Sequence, residues 1–176
     1  PSLDGVILAG GFPELYAEAL SRNAGMHHAI KTAVQQRLPI YAECGGLMYL
    51  TQSICDQQQK KWPMVGVLPG HSTMTKRVTL GYRLVEAVTD GPILQAGEQV
   101  RGHEFHYSSW TDEAEQETSP AYLLRNPRQP DHLLRQAGMQ HGSIWASYIH
   151  LHFLAKPGMA ERFVRWCREH ANERKA

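Results

Sequence analysis

"IYAECGGLMYL", residues 40–50, places a cysteine between a short apolar run and a run with helical spacing, with two glycines directly behind it. "PIYAE" has the composition of a buried strand. "GLMYLTQSI" sets Leu47, Leu50, Thr51 and Ile54 along one helical stripe. Strand, turn and helix in this order put Cys44 on the corner. Ala42 precedes the thiol by two positions and Gly46 follows it by two, the steric arrangement of a strand-to-helix nucleophile elbow. Small neighbours let the backbone turn sharply and lift the side chain out of the sheet edge. At a helix start, unpaired amides and the positive end of the dipole favour thiolate. Cys44 is therefore the candidate nucleophile. Cys55 and Cys167 lie on or beside apolar helical stripes and read as core residues.

Upstream, "DGVILAGG" reads as a strand buried on both faces that ends near Ala9 in a glycine turn. Pro13 suits a first helical position. Asn23 suits the cap of a helix whose Met26, Ile30, Val34 and Leu38 recur at helical spacing, with Pro39 as its stop. This alternation predicts an α/β fold, a parallel sheet with helices on both faces. Downstream the rhythm changes. "MVGVLPG", "RVTLGYRLVEAV" and "EQVRGHEFHYS" predict strands, several of them antiparallel. "TDEAEQETSP" reads as a solvated acidic loop, "AYLL" with "RNPRQPDHLL" as a strand and short hairpin, and "GMAERFVRWCREH" as a closing amphipathic helix bearing Met159, Phe163, Trp166 and Cys167 on one face.

A thiol nucleophile needs a base. "IWASYIHLHF" ends an apolar run in His150 and His152, and a histidine at the end of a buried strand can take the thiol proton and return it to a leaving group. Alternation points both rings to one side, so periodicity does not separate them. A metal pair would need a third ligand that the sequence does not place. Developing negative charge needs donors as well, and the amides of Gly45, just after the thiol, and Gly11, in "AGGFPE", are the candidates. In "GHEFHYS" we read Glu104 as pointing away from both His103 and His106, with Glu104 or His106 shaping a pocket or an interface. Neither G-x-x-x-x-G-K-[ST] nor G-x-G-x-x-G occurs, so no nucleotide-binding loop of those kinds is expected.

Composition narrows the partners. The 176 residues carry 18 Lys and Arg against 17 Asp and Glu, a formal charge of +1, so there is no basic field for nucleic acid or anionic lipid. Hydrophobic residues at 42% and charged residues at 20% fit one globular domain spanning residues 1–176. No stretch approaches the roughly 18 apolar residues of a membrane span. Three cysteines without metal-type spacing fit a reducing, cytoplasmic setting. The chain enters a strand-like run almost at once and lacks an initiator methionine, as expected of part of a larger protein.

"GGFPE", "AECGGLMYL", "MTKRVTLGYR", "RGHEFHYS" and "ASYIHLHF" in this order resemble the C-terminal glutaminase domains of the cobyrinic acid a,c-diamide synthase family. The resemblance implies a class I glutamine amidotransferase fold, flavodoxin-like, with a mixed sheet flanked by helices. It implies glutamine as substrate, hydrolysed through a Cys44 thioester, and it matches the activating histidine, which follows a Tyr-Ile pair, to His150. Many class I glutaminases carry a glutamate two residues after that histidine; His152 stands there instead, which leaves open what orients His150. The resemblance further implies an N-terminal synthetase domain, similar to dethiobiotin synthetase, that uses ATP and Mg2+ to activate the a and c carboxylates of a corrinoid. No cofactor or metal is expected in this segment itself. Hydrogenobyrinate and nickel-sirohydrochlorin synthases share these motifs. Other uses of the same residues are a stand-alone cysteine amidase or γ-glutamyl hydrolase, or a non-catalytic partner module.

Overall fold

The computed structural model describes residues 3–111 and 119–173. Its first sheet is built around β2 (Ile40–Glu43), whose apolar run lies between β1 (Val6–Leu8) and β10 (Ile144–Ser147), both parallel to it, with β9 (Met139–His141) antiparallel beyond β10. Alternation along β2 divides the core. Ile40 and Ala42 pack with Leu47, Leu50, Ile54 and Ile144 on one face, where α1 (Ala17–Arg22) and α2 (Ala24–Gln35) bring Leu20, Ile30 and Val34. Tyr41 faces the other side with Trp145, Ile149 and Leu151, covered by Met159 and Phe163 of α4 (Met159–Glu173). Helices thus cover both faces, as expected for α/β. Pro13 opens a 3-10 turn, and Asn23 caps α2 by accepting the Met26 amide at 3.1 Å.

The second sheet runs in the order β11 (His150–Leu151), β6 (Gln99–Thr111), β5 (His71–Ala87), β3 (Ser53–Cys55), β4 (Lys61–Pro63). The hairpin of β7 (Tyr122–Asn126) and β8 (Gln129–Ala137) extends it through β5. Apart from the parallel β3–β5 pair, its neighbours are antiparallel.

Several expectations are corrected. β1 is an edge strand with Ile7 exposed, because β2 is its only neighbour in the sheet among the described residues. The helix after Cys44, α3 (Gly45–Leu50), stops earlier than its stripe suggested. Thr51 turns to extended backbone, its hydroxyl donates to the Met48 carbonyl at 2.7 Å, and residues 53–55 pair as β3. The spacing of Leu50, Thr51 and Ile54 fits either element, so local bonding decides. "MVGVLPG" forms no strand. The amides of Val65, Gly66, Val67 and Leu68 donate to the carbonyls of Tyr49, Thr51 and Leu50, so this run wraps the end of α3 and satisfies groups that a helix terminus leaves open. The acidic loop lies almost wholly outside the described residues. Finally, the "IWASYIHLHF" run is split: β10 ends at Ser147, and His150 belongs to the second sheet, paired with His103 on β6.

Candidate active site

The corner at Cys44 is a strained one. Its φ of 47° and ψ of −104° lie where L-residues are rarely found. The conformation is held from both sides. The Cys44 amide donates to the Ser147 carbonyl at 2.7 Å, and its carbonyl accepts the Met48 amide at 3.0 Å as the first bond of α3. The amide of Gly45 therefore sits at an unpaired helix start. A side chain at Gly45 would meet the Gly11 oxygen at 2.7 Å and nitrogen at 2.9 Å, so the two glycines expected to bind negative charge are packed against each other. The turn after β1 and the corner after β2 share one edge because the strands are parallel.

His150 reaches this edge from β11. Its ring shares a cleft with the Cys44 side chain and lies against Gly10, where an added Cβ would collide with the imidazole. The other side of the ring is covered by His103, stacked at 4.8 Å between centroids and 17° between planes. Gly10, Gly11, Phe12, Cys44, His103, Phe105 and His150 line a cleft of about 470 Å³, together with Leu80. The Phe105 carbonyl is 3.9 Å from Cys44 Sγ. Glu43 supplies a carboxylate: Oε2 lies 3.6 Å from His150 Nδ1.

The Cys44 side chain and, after it, the Glu43 carboxylate favour the His150 imidazolium, raising its pKa from 6.5 to about 9 against the opposing effect of burial. Its contribution to folding is therefore complete below pH 6.5 and lost as the pH rises through about 9. For a reaction that needs the imidazolium to donate a proton, kcat/KM is expected to fall above about pH 9, a limb that stopped-flow or continuous product-release assays across pH 6–10 would record. A flat profile through that range would count against the ion pair.

The sequence expectation for strand β6 is corrected here. Glu104 and His106 point the same way, into the protein, while His103 and Phe105 face the cleft. Glu104 is fully buried and bound by Arg83 Nε at 2.7 Å and by Arg135, with His106 Nε2 at 3.6 Å. Its role is to tie β6 to β5 and β8 under the cleft floor. Burial pushes the Glu104 carboxyl up, but His106, Arg135 and Arg83 outweigh it and hold the pKa below the ordinary 4.5. The stabilisation is present above pH 4.5 and is lost as the pH falls through the lowered value. Glu104→Ala is expected to cost about 3 kcal/mol in urea unfolding at neutral pH, because it leaves the largely buried Arg83 guanidinium without its carboxylate. His106 stacks on Tyr148 at 4.1 Å. His152 does not continue β11. It caps the following 3-10 turn, its Nδ1 accepting the Leu154 amide at 3.2 Å.

Sequence reasoning thus brought together Cys44, His150, Gly11 and Gly45 and missed Glu43, His103 and Phe105. Strand pairing of "GHEF" against "IHL" places the latter two, and that partnership is not written in either segment.

The profile of the CobB/CobQ-like glutamine amidotransferase domain matches residues 1–158. The chain belongs to this family. Among relatives, the cobyrinate a,c-diamide synthase of Synechococcus sp. is 42% identical over 167 residues, covering 95% of this chain and 36% of the relative. The hydrogenobyrinate a,c-diamide synthase of Streptomyces coelicolor is 40% identical over 164 residues, covering 93% of this chain and 31% of the relative. This CobB/CobQ-like domain therefore spans about a third of the length of the curated relatives it matches. Solved structures agree on the fold. A crystal structure of a glutamine amidotransferase aligns with TM-score 0.64 at 16% identity over 94% of this chain and 79% of its own. PurLQS from Thermotoga maritima gives a chain with TM-score 0.61 at 13% identity, over 94% of this chain and 79% of that one. The fold is that of the class I glutamine amidotransferases.

Proposed function

We propose that this domain hydrolyses glutamine to glutamate and ammonia and delivers the ammonia for ATP-dependent amidation of the a and c carboxylates of a corrinoid. The observation that carries the hydrolytic reading is the one cleft shared by Cys44, held at φ 47° on the β2–α3 corner, and His150 on β11. In this reading the Cys44 thiolate attacks the carboxamide carbon and a C–S bond forms. Negative charge on the carbonyl oxygen meets the amides of Gly45 and Gly11. His150 gives its proton to the departing nitrogen, and ammonia leaves. Water then yields a proton to His150 and attacks the thioester carbon. The C–S bond breaks, glutamate is released, and the thiolate–imidazolium pair is restored.

The corrinoid assignment is supported by the relatives, whose names specify cobyrinate and hydrogenobyrinate, and by their greater length. The remaining two thirds would hold the synthetase domain, with ATP and Mg2+ bound there. A reactive glutamine analogue tests the hydrolytic part. Peptide mapping is expected to find it on Cys44, with free glutamine protecting. Modification elsewhere, or none, would favour a module that binds without turnover.

A further inference from the structure

We propose that Glu43 positions His150 and holds its charge, taking the place of an acid two residues after the histidine. The inference rests on the reading of Cys44 as nucleophile. Both oxygens of this carboxylate are accounted for. Oε1 accepts the Tyr41 hydroxyl at 2.8 Å and the Leu151 amide at 3.0 Å. Oε2 is thereby turned toward His150 Nδ1, at 3.6 Å, with the Glu43 side chain 13% exposed. One lock comes from β2 itself and the other from β11, the two elements that carry the thiol and the imidazole. The same carboxylate therefore fixes the ring's direction and the relative position of the strands.

Among the described residues lining the ring's surroundings there is no competing acid. His103 stacks on it from β6, and Tyr82, Arg101, Arg128 and His152 line the adjoining depression. Each of these is neutral or cationic at neutral pH. His152, the residue in the usual acid's place, has its Nδ1 taken by Leu154. The carboxylate facing His150 among these neighbours is that of Glu43. In the thiolate form that the proposed reaction uses, Cys44 and Glu43 repel as adjacent anions, and attraction to the imidazolium offsets that repulsion. Removing the carboxylate therefore weakens the ring's hold on its proton and loosens its aim at the sulfur.

Glu43→Gln tests this, because the amide oxygen can still accept from Tyr41 and Leu151 while the charge is gone. On the purified protein, kcat for glutamine hydrolysis is expected to fall about 10²-fold with KM little changed, and the alkaline limb to move down by about one pH unit. The pH profile of Cys44 alkylation by iodoacetamide should shift in the same direction. Glu43→Asp should recover part of both. A Glu43→Gln enzyme within twofold of wild type in kcat, with an unmoved limb, overturns the proposal, as does a change confined to KM. Should Glu43→Gln fail to fold, Tyr41→Phe removes one of the two donors to Oε1 without altering charge. A several-fold loss of kcat with a lowered limb supports the proposal, and an unchanged profile overturns it. Activity surviving in Cys44→Ala would instead refute the choice of nucleophile.

Discussion

Replacing Cys44 with alanine is expected to reduce glutamine hydrolysis by at least about 10⁴-fold, since the thioester route has no other nucleophile in the cleft. Glutamate release measured by coupled assay would show it. Amidation driven by added ammonia in an intact synthase should survive, because only the ammonia source is lost. Loss of both to the same degree would mean that the thiol is structural. A second readout separates chemistry from strain. At φ 47° and ψ −104° a Cβ is unwelcome, so Cys44→Gly should be more stable than Cys44→Ala by about 1 kcal/mol. At ordinary helix and strand positions the order is reversed. Urea midpoints that place alanine above glycine would show that the corner is not strained.

Gly46→Ala has the second large effect. A Cβ at Gly46 would stand inside contact distance of the Leu8 carbonyl oxygen and 2.8 Å from Leu8 Cβ, both parts of β1 or its side chain. Backbone cannot swing away as a long side chain can. Either α3 moves off the sheet or β1 leaves β2, and overpacking of this kind costs about 3 kcal/mol. The turn after β1 carries Gly11, so the displacement also separates the amides of Gly11 and Gly45. Stability and kcat should fall together, and a variant with wild-type unfolding and turnover would place the two elements further apart than they stand here.

Much of this was legible before any coordinates. The corner at Cys44 could be read because its requirement is steric and local: small residues two before and two after the thiol. Capping by Asn23 and the stripe of α4 are equally local. What was not legible depended on partners. Ser53–Cys55 carries apolar spacing that suits a helix or a strand, and the edge of β5 decided for strand. "MVGVLPG" looks like a strand and serves as a strap because the end of α3 needed donors. The sides of β6 were misassigned at His106 although alternation alone puts residues 104 and 106 on one side, so that error was avoidable. Glu43 escaped notice for the opposite reason. Its closeness to Cys44 in sequence concealed that its chemical partner lies 107 positions further on.

Only Tyr148 and Ile149 carry the chain from the last residue of β10 to His150 on β11. That short bridge acts as a spacer with parity. Since successive side chains on an extended strand project to opposite sides, losing or gaining one link there would turn the imidazole's back on the sulfur, whatever the link's chemistry. Length, at this place, is held more strictly than composition.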